Sequence, residues 1–299
     1  MAILESTKKI IGFVILTWNS EKVIGACLDS ISGLSSVEPR IVLVDNGSTD
    51  NTVLIIEEFI QRTSIPVELI QFSKNMGTTI PRNVALHRLM DVRPDYYCIL
   101  DSDTIVNDAA FLTMITELSK HQQYGIIGPE MRTSTGYIQM SARSFPTLLE
   151  KLCKGIPNKY LQAKGEQMEL QLAPYPDAAS YPVDYLMSAC WLMTPKAIEK
   201  AGELDEKIFY APEDAEYCIR VWKSGLQVAF CPEAKIIHEW QRLSKRKLIS
   251  KMNWVHICGL VYMFRKHHYL FTMKKLKTVF LLAFCLLMVV SSFPVSAII

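Results

Sequence analysis

Apolar runs of strand length alternate with segments of helical spacing through the first hundred residues. The apolar runs occupy residues 10–18, 39–47, 66–75 and 95–104. Apolar side chains recur every three or four positions, as in an amphipathic helix, at residues 20–31 and 49–61. Residues 80–91 also predict a helix, with Pro81 near its first turn. This alternation predicts an α/β fold with a mostly parallel, Rossmann-like sheet that is flanked by crossover helices.

Each of these predicted strands ends in polar side chains. The endings include Thr17 and Asn19 after the first strand, Asp45 after the second, and Asp101 and Asp103 after the fourth. Because the carboxyl ends of parallel strands meet at the edge where such folds bind ligands, we expect these side chains to face one site. Asp101 and Asp103 stand two residues apart, and carboxylates this close repel each other unless a cation lies beside them. The pair therefore predicts a metal ion or another positively charged partner.

The second half of the chain has a less regular pattern. Residues 154–180 are polar and contain prolines, which predicts a long loop or insertion near a substrate. A strand-like run at 183–194, a helical pattern at 213–225 and a final strand at 227–240 follow. We expect Trp191, within the first of these, to be a core residue.

Composition excludes some classes of protein. Hydrophobic residues make up 49% of the 299 residues, which is enough to bury a sizeable core. Lys and Arg number 32 against 30 Asp and Glu, and this balance gives no reason to expect a nucleic-acid partner. The eight cysteines include no C-x-x-C pair, so we expect reduced, packed thiols and no zinc site.

The C-terminal part of the chain suggests a membrane. Residues 278–299 carry no charge and are long enough to cross a bilayer once, and Lys274, Lys275 and Lys277 precede them. Because flanking Lys and Arg tend to remain in the cytoplasm, we expect an anchor at 276–299 on the cytoplasmic face; the alternative is a buried or interfacial segment. The basic and aromatic stretch at 241–275 predicts either a helix on an anionic membrane surface or an ordinary helix packed on the domain.

Six motifs then give a family resemblance. They are, in chain order, VILTWNS, VDNGSTDNT, NMGTTIPRN, DYYCILDSDT, LDEKIFYAPEDAEYCIRVWKSG and PEAKIIH. Together they resemble the family 2 glycosyltransferases of the GT-A fold, particularly the bacterial rhamnosyltransferase-like members that build surface polysaccharides. The resemblance implies a catalytic domain at 1–240, with a nucleotide-sugar half at 1–130 and an acceptor half at 131–240.

On the donor side, the resemblance implies that Thr17, Asn19 and Asp45 line a pocket for the base and ribose. It also implies that Arg82 reaches the nucleotide or its phosphates, whose oxygens suit a guanidinium. The plainer alternatives are a turn or capping role for Asp45 and a helix-surface position for Arg82.

The resemblance further matches Asp101 and Asp103 to the D-x-D of the family, whose carboxylates hold Mn²⁺ or Mg²⁺ against the donor diphosphate. Asp103 is then the direct ligand, whereas Asp101 binds the metal, a metal-bound water or the ribose. His238 falls where family members often have a third contact to the metal or diphosphate, although a His at a strand end also has structural uses.

On the acceptor side, Glu213 and Asp214 match a pair in which the family uses the Asp as general base. Asp214 would take the proton from the acceptor hydroxyl, and Glu213 would orient the acceptor or substrate. The alternative is that both acids only complement the dipole at the start of a helix.

The resemblance implies an inverting, metal-dependent transferase that moves a sugar from a UDP- or dTDP-sugar to a saccharide, in particular a lipid-linked one, at the cytoplasmic membrane face. Asp-Ser-Asp at 101–103 replaces the Asn-Pro-Asp of many rhamnosyltransferase-like members, which strengthens the metal prediction and weakens the prediction of rhamnose. The alternatives are a catalytically silent GT-A domain, a processive polysaccharide synthase and a nucleotidyltransferase. The last two lack support, because neither a Q-x-x-R-W motif nor a Gly-rich loop after the first strand is present.

Overall fold

A computed structural model of the chain describes residues 8–170, 178–239 and 251–270. The strands are β1 (Lys9–Thr17), β2 (Val37–Asp45), β3 (Val67–Gln71), β4 (Tyr96–Asp101), β5 (Thr104–Ile105), β6 (Tyr124–Arg132), β7 (Ile138–Gln139), β8 (Ala142–Arg143), β9 (Tyr181–Pro182), β10 (Tyr185–Leu186), β11 (Cys190–Met193) and β12 (Gln227–His238). The helices are α1 (Ile24–Ser32), α2 (Thr52–Arg62), α3 (Thr79–Val92), α4 (Asp108–Lys120), α5 (Leu148–Gly155), α6 (Lys159–Glu169), α7 (Pro195–Ala201), α8 (Glu213–Lys223) and α9 (Lys251–His267).

The first half of the chain has the predicted parallel arrangement. Four parallel strands lie in the order β3-β2-β1-β4, and helices α1, α2 and α3 connect them. Thr17 is paired with Asp45, and Leu16 is paired with Asp101. The polar strand endings therefore lie side by side at one edge of the sheet, as the sequence predicts.

The prediction of a mostly parallel sheet holds only in part for the second half, where β6 and β12 run parallel but other neighbouring strands are antiparallel. The sheet continues from β4 in the order β11-β6-β12-β5, and β11 runs antiparallel to both β4 and β6. The reason is where β11 begins: Ala189, just before it, accepts a hydrogen bond from the Asp101 amide at the carboxyl end of β4. The chain enters β11 from the edge at which β4 ends, so the two strands must run in opposite directions.

Part of the predicted loop at 154–180 is helical. Asn158 caps α6 by accepting hydrogen bonds from the amides of Tyr160 and Leu161. Gly165 allows α6 to approach α5, since a Cβ there would lie 2.6 Å from Cγ of Lys154. Capping and packing stabilise a helix that its polar composition does not predict, and residues 171–177 of the predicted loop lie outside the described residues.

Two hydrophobic layers cover opposite faces of the sheet. One contains Phe13 and Ile15 of β1 together with α1, α2 and α4, and the other contains Val14 together with α3, α7 and α8. Helix α9 adds Leu260, Met263 and Phe264 to the second layer.

At 251–270, the structure thus shows a helix packed on the domain, which was one of the two predictions for 241–275. The predicted anchor at 276–299 lies outside the described residues. Among the residues that are described, we find no helix with the length and hydrophobicity needed to span a bilayer.

Candidate functional site

Asp101, Asp103 and His238 converge at the carboxyl edge of the sheet. Asp101 ends β4, Asp103 lies in the turn before β5, and His238 ends β12, which pairs with β5 through His238 and Thr104. One potential ligand atom from each of the three side chains lies within 4.8 Å of the other two. The two-residue strand β5 therefore brings a residue of the second half to the Asp pair.

The chemistry of this cluster fits a divalent cation. Nδ1 of His238 is 2.7 Å from Oε1 of Gln139, and Nε2 is 3.1 Å from Oδ1 of Asp103. With the Nδ1 proton donated to Gln139, the Nε2 atom turns toward Asp103, and a proton or a cation there stabilises the pair. Two carboxylates and an imidazole are a donor set that suits Mn²⁺, and the carboxylates also suit Mg²⁺.

The pKa values of His238 and Asp101 also show that this cluster favours positive charge. Burial lowers the pKa of His238, but the hydrogen bond and the negative charge of Asp103 outweigh it and raise that pKa above its ordinary value. Burial raises the pKa of Asp101 and the charge of Asp103 adds to this effect, although Arg82 opposes both. The site thus attracts positive charge before any ligand binds.

Arg82 is buried, so the alternative of a helix-surface position is wrong. Its side chain is 4% exposed, and its guanidinium donates to Oδ1 of Asp101 at 2.8 Å and to Oε1 of Glu213 at 3.1 Å. It also donates to the hydroxyl of Ser188 at 3.0 Å. Arg82 therefore connects Asp101 to Glu213, and its predicted contact with a nucleotide stays a prediction.

Thr17, Asn19 and Asp45 lie together after β1 and β2. The Thr17 hydroxyl donates to Oδ1 of Asp45 at 3.0 Å, and the Ser48 amide donates to Oδ2 at 2.9 Å. Oδ1 of Asn19 accepts from the Thr49 amide at 2.9 Å. These bonds show the turn and capping contacts of the alternative for Asp45, while the nucleotide-binding role of all three residues stays a prediction.

Glu213 and Asp214 form the first turn of α8. Burial and the charge of Asp214 raise the pKa of Glu213, against the opposing charge of Arg82. Burial also raises the pKa of Asp214, whereas the Ala215 amide and the charges of Arg143 and other cations oppose this. A carboxylate with a raised pKa is a stronger base, which is what proton removal from an alcohol needs.

Sequence reasoning did not identify several residues that contact or surround the candidate site. Gln139 accepts a hydrogen bond from His238, and the Ser188 hydroxyl lies between Arg82 and Glu213. Arg143 and Tyr185 are near enough to Asp214 to interact with it electrostatically. Arg143 and Tyr185 are paired across the two short strands β8 and β10. Two-residue strands leave no periodic signal, so nothing in the sequence pattern pointed to these positions. Trp191 is fully buried and packs on Tyr217, as expected for a core residue.

The loop before α3 contacts the loop before α8 directly. The Thr78 amide donates to the Phe209 carbonyl at 2.7 Å, and the Thr79 hydroxyl donates to the Ile208 carbonyl at 2.8 Å. Gly77 has a φ of +85°, and a Cβ at this position would lie 2.1 Å from the Phe209 carbonyl oxygen. Only glycine fits here, both sterically and conformationally.

The chain is similar in sequence to known glycosyltransferases. A relative from Mycobacterium tuberculosis, the N-acetylglucosaminyl-diphospho-decaprenol L-rhamnosyltransferase, is 23% identical over 254 residues, which cover 80% of this chain and 79% of the relative. Its name describes a transferase that acts on a lipid-linked sugar.

Solved structures share the GT-A fold. GalNAc-T7 with UDP, GalNAc and Mn²⁺ has a TM-score of 0.64 at 14% identity, over 87% of this chain and 48% of that chain. TarS of S. aureus in complex with UDP has a TM-score of 0.53 at 17% identity, over 76% of this chain and 59% of that chain. The family described as glycosyl transferase family 2 matches residues 13–175, more than half of the sequence. This chain therefore belongs to glycosyltransferase family 2.

Proposed function

We propose that this glycosyltransferase is an inverting, metal-dependent enzyme that transfers a sugar from a UDP- or dTDP-sugar to a lipid-linked saccharide. The observation that carries the proposal is the pair of clusters around Arg82. On one side lie Asp101, Asp103 and His238, and on the other lie Glu213 and Asp214. A single displacement needs a base for the acceptor and a cation for the leaving diphosphate, and the two clusters supply a candidate for each.

Asp101, Asp103 and His238 would hold the metal, which neutralises negative charge on the departing diphosphate. Asp214 accepts the proton of the acceptor hydroxyl as the hydroxyl oxygen bonds to the anomeric carbon and the bond from that carbon to the diphosphate breaks. Because the acceptor oxygen attacks one face of the anomeric carbon while the diphosphate departs from the other, the configuration at that carbon is inverted. Glu213, held by Arg82 and Ser188, fixes the first turn of α8 from which Asp214 acts.

Three observations support the substrate classes. The cation cluster suits a diphosphate donor, the solved structures named above bind UDP, and the mycobacterial relative is named for a diphospho-decaprenol acceptor. A lipid-linked acceptor requires a position at the membrane. We place the enzyme at the cytoplasmic face because Lys274, Lys275 and Lys277 precede the uncharged stretch at 278–299.

Calorimetry tests the donor site. The full-length protein is titrated with UDP-, dTDP- and GDP-sugars, with and without Mn²⁺, and we expect Mn²⁺-dependent binding of a UDP- or dTDP-sugar. Asp103→Ala should abolish the metal-dependent part of this binding, whereas the control Asp91→Ala, at an exposed position of α3, should leave it unchanged.

Three results would contradict the proposal. Donor affinity that is equal with and without Mn²⁺ would exclude the metal role. Binding without transfer to any lipid-linked saccharide would favour the catalytically silent alternative. Transfer with retained anomeric configuration, measured by NMR of the product, would exclude the single displacement.

A further inference from the structure

Helix α9 has an apolar stripe that faces away from the protein. Leu260, Met263 and Phe264 pack into the core. Trp254, Ile257 and Val261, spaced by three and four residues, are 48–68% exposed. A helix with a buried apolar face normally has a polar outer face, and this one has a second apolar face instead.

A second apolar stripe lies on α5. Cys153 on its inner side is buried, whereas Leu149, Leu152 and Ile156 are 37–48% exposed. Single exposed apolar residues are ordinary, but repeated apolar residues at helical spacing on two helices indicate an interaction surface.

The two helices are neighbours. The amide of Leu148, the first residue of α5, donates to the carbonyl of Leu270, just after α9, at 2.7 Å. Burial lowers the pKa of His256 on α9 to about 4, and the positive charges of Lys151 and Lys154 on α5 add to this effect. These interactions place cations of α5 close to the middle of α9.

The amino-acid sequence after α9 favours a lipid bilayer as the partner of this surface. After Leu270, the sequence continues through Lys274, Lys275 and Lys277 into residues 278–299, which are uncharged and long enough to cross a bilayer. Leu270, the last described residue before this stretch, is hydrogen-bonded to the start of α5, which carries one of the apolar stripes. Apolar side chains next to lysines are typical of helices that lie in the interface of an anionic membrane.

The same region lies next to the proposed base. Arg143 and Lys151 are close enough to Asp214 for their charges to oppose the rise of its pKa. On α9, a Cβ at Gly259 would lie 2.4 Å from the carbonyl oxygen of Ala211, three residues before Asp214. Helix α9 therefore packs directly against the segment that leads into α8.

We propose that the outer faces of α5 and α9 form a membrane-docking surface, defined by Leu149, Leu152, Ile156, Trp254, Ile257 and Val261. Docking brings Asp214 to the bilayer surface, where a lipid-linked hydroxyl is held. The consequence for acceptor use rests on the proposed function, but the docking itself does not.

A nitroxide at Cys258 tests the docking. Cys258 is exposed beside Ile257, whereas the other cysteines that the structure describes are buried. The full chain with Cys285→Ser is labelled and bound to vesicles of phosphatidylcholine and phosphatidylglycerol. We expect oxygen to relax the nitroxide more than a water-soluble nickel complex does. The control carries the label on α4 through Leu112→Cys with Cys258→Ser, on the opposite face of the sheet, and should stay accessible to nickel.

Two outcomes would overturn the docking surface. Nickel access at Cys258 equal to that at the control position, with the protein on vesicles, would show that this face stays in water. Protection of Cys258 from nickel in the absence of vesicles would show that something other than lipid covers this face. If that protection grows with protein concentration, the cover is a second copy of the protein. If it is independent of concentration, the cover is residues 271–299.

A double variant tests the link to acceptor use. Leu152→Glu with Ile257→Glu should lower transfer to a lipid-linked acceptor in vesicles roughly tenfold, because charges oppose burial in the interface. Donor binding by calorimetry should be unchanged. The matched control is Leu54→Glu with Leu112→Glu, at exposed positions of α2 and α4, which should transfer normally. Normal transfer by the first variant would overturn the docking surface alone, whereas absence of donor binding by the unaltered protein would overturn the proposed function.

Discussion

The proposed donor side and the proposed acceptor side of this site are built in different ways. On the donor side, Thr17, Asp45 and Asp101 are placed by the register of neighbouring parallel strands. On the acceptor side, Asp214 lies in the first turn of α8, and Arg143 and Tyr185, on short strands elsewhere in the chain, are near enough for electrostatic interaction with it. Backbone hydrogen bonding positions the first group, while contacts between distant side chains position the second. We therefore expect the acceptor side to be the more sensitive to single substitutions.

Asp214→Asn should have the largest effect and should separate the two sides. The amide keeps the size of the side chain but accepts no proton at neutral pH, so transfer should fall about 10³-fold. Donor affinity measured by calorimetry should remain within error of the unaltered protein. Steady-state transfer rates give the comparison, and full turnover by this variant would show that another group is the base.

Glu216→Gln should break the contact between α8 and α9. Glu216 is fully buried, and Arg220, Lys266 and His267 contact it at 2.7–3.1 Å. Burial by itself raises the pKa of Glu216, but the hydrogen bond from His267 and the charged groups of Arg220 and Lys266 lower it to about 2. Loss of the carboxylate should lower the free energy of unfolding at pH 7 by about 3 kcal/mol.

The same pKa fixes the pH range of this effect. Because the folded-state pKa lies below the ordinary value of 4.5, the contribution is complete above that value and is lost as the pH falls toward 2. Urea denaturation from pH 7 to pH 3 should show a steeper loss of stability for the unaltered protein than for Glu216→Gln. Glu199→Gln, at an exposed position of α7, is the control; parallel curves for all three proteins would contradict the assignment.

Arg82→Lys should affect both sides at once. An ammonium group keeps the charge but lacks the fork with which Arg82 contacts Asp101, Ser188 and Glu213 together. We expect kcat/KM for the donor to fall roughly 30-fold, because the variant loses one or two hydrogen bonds to charged groups. A change in donor KM alone, with kcat unaltered, would show that Arg82 serves only the donor side.

Gln139→Ala should have the smallest effect and should stay on the donor side. Gln139 accepts the hydrogen bond from Nδ1 of His238, and residues that orient a metal ligand usually change metal affinity roughly tenfold or more. Titration with Mn²⁺ should show this loss, with the transfer rate restored at high Mn²⁺. Unchanged Mn²⁺ affinity would mean that His238 is not a ligand.

The contrast between strand register and long-range side-chain contacts explains which features the sequence could predict. The parallel order of β1, β2 and β4 follows from the alternation of strands and helices, and it correctly placed Thr17, Asp45 and Asp101 at one edge. The direction of β11 was not predictable, because a strand carries no local signal of the direction in which its neighbour runs. Helix α6 was missed because its polar composition resembles a loop, and packing on α5 stabilises it.

The acceptor side was predictable only through motifs. Glu213 and Asp214 were identified by their resemblance to a family pattern, and the residues that surround them were not. The burial of Arg82 also escaped the sequence, since helix α3 has no clear apolar face from which its orientation could be read. Side chains that meet across a hundred residues depend on the finished packing of the whole domain.

The close approach of Gly77 to Phe209 limits how this protein can be recombined. The contact joins a loop from residues 1–130 to a loop from residues 131–240, with no room for a side chain between them. A chimera that combines one of these portions with the corresponding portion of a relative keeps this junction only if both loops retain their backbone positions. At this junction the two portions therefore fit as one matched unit rather than as exchangeable modules.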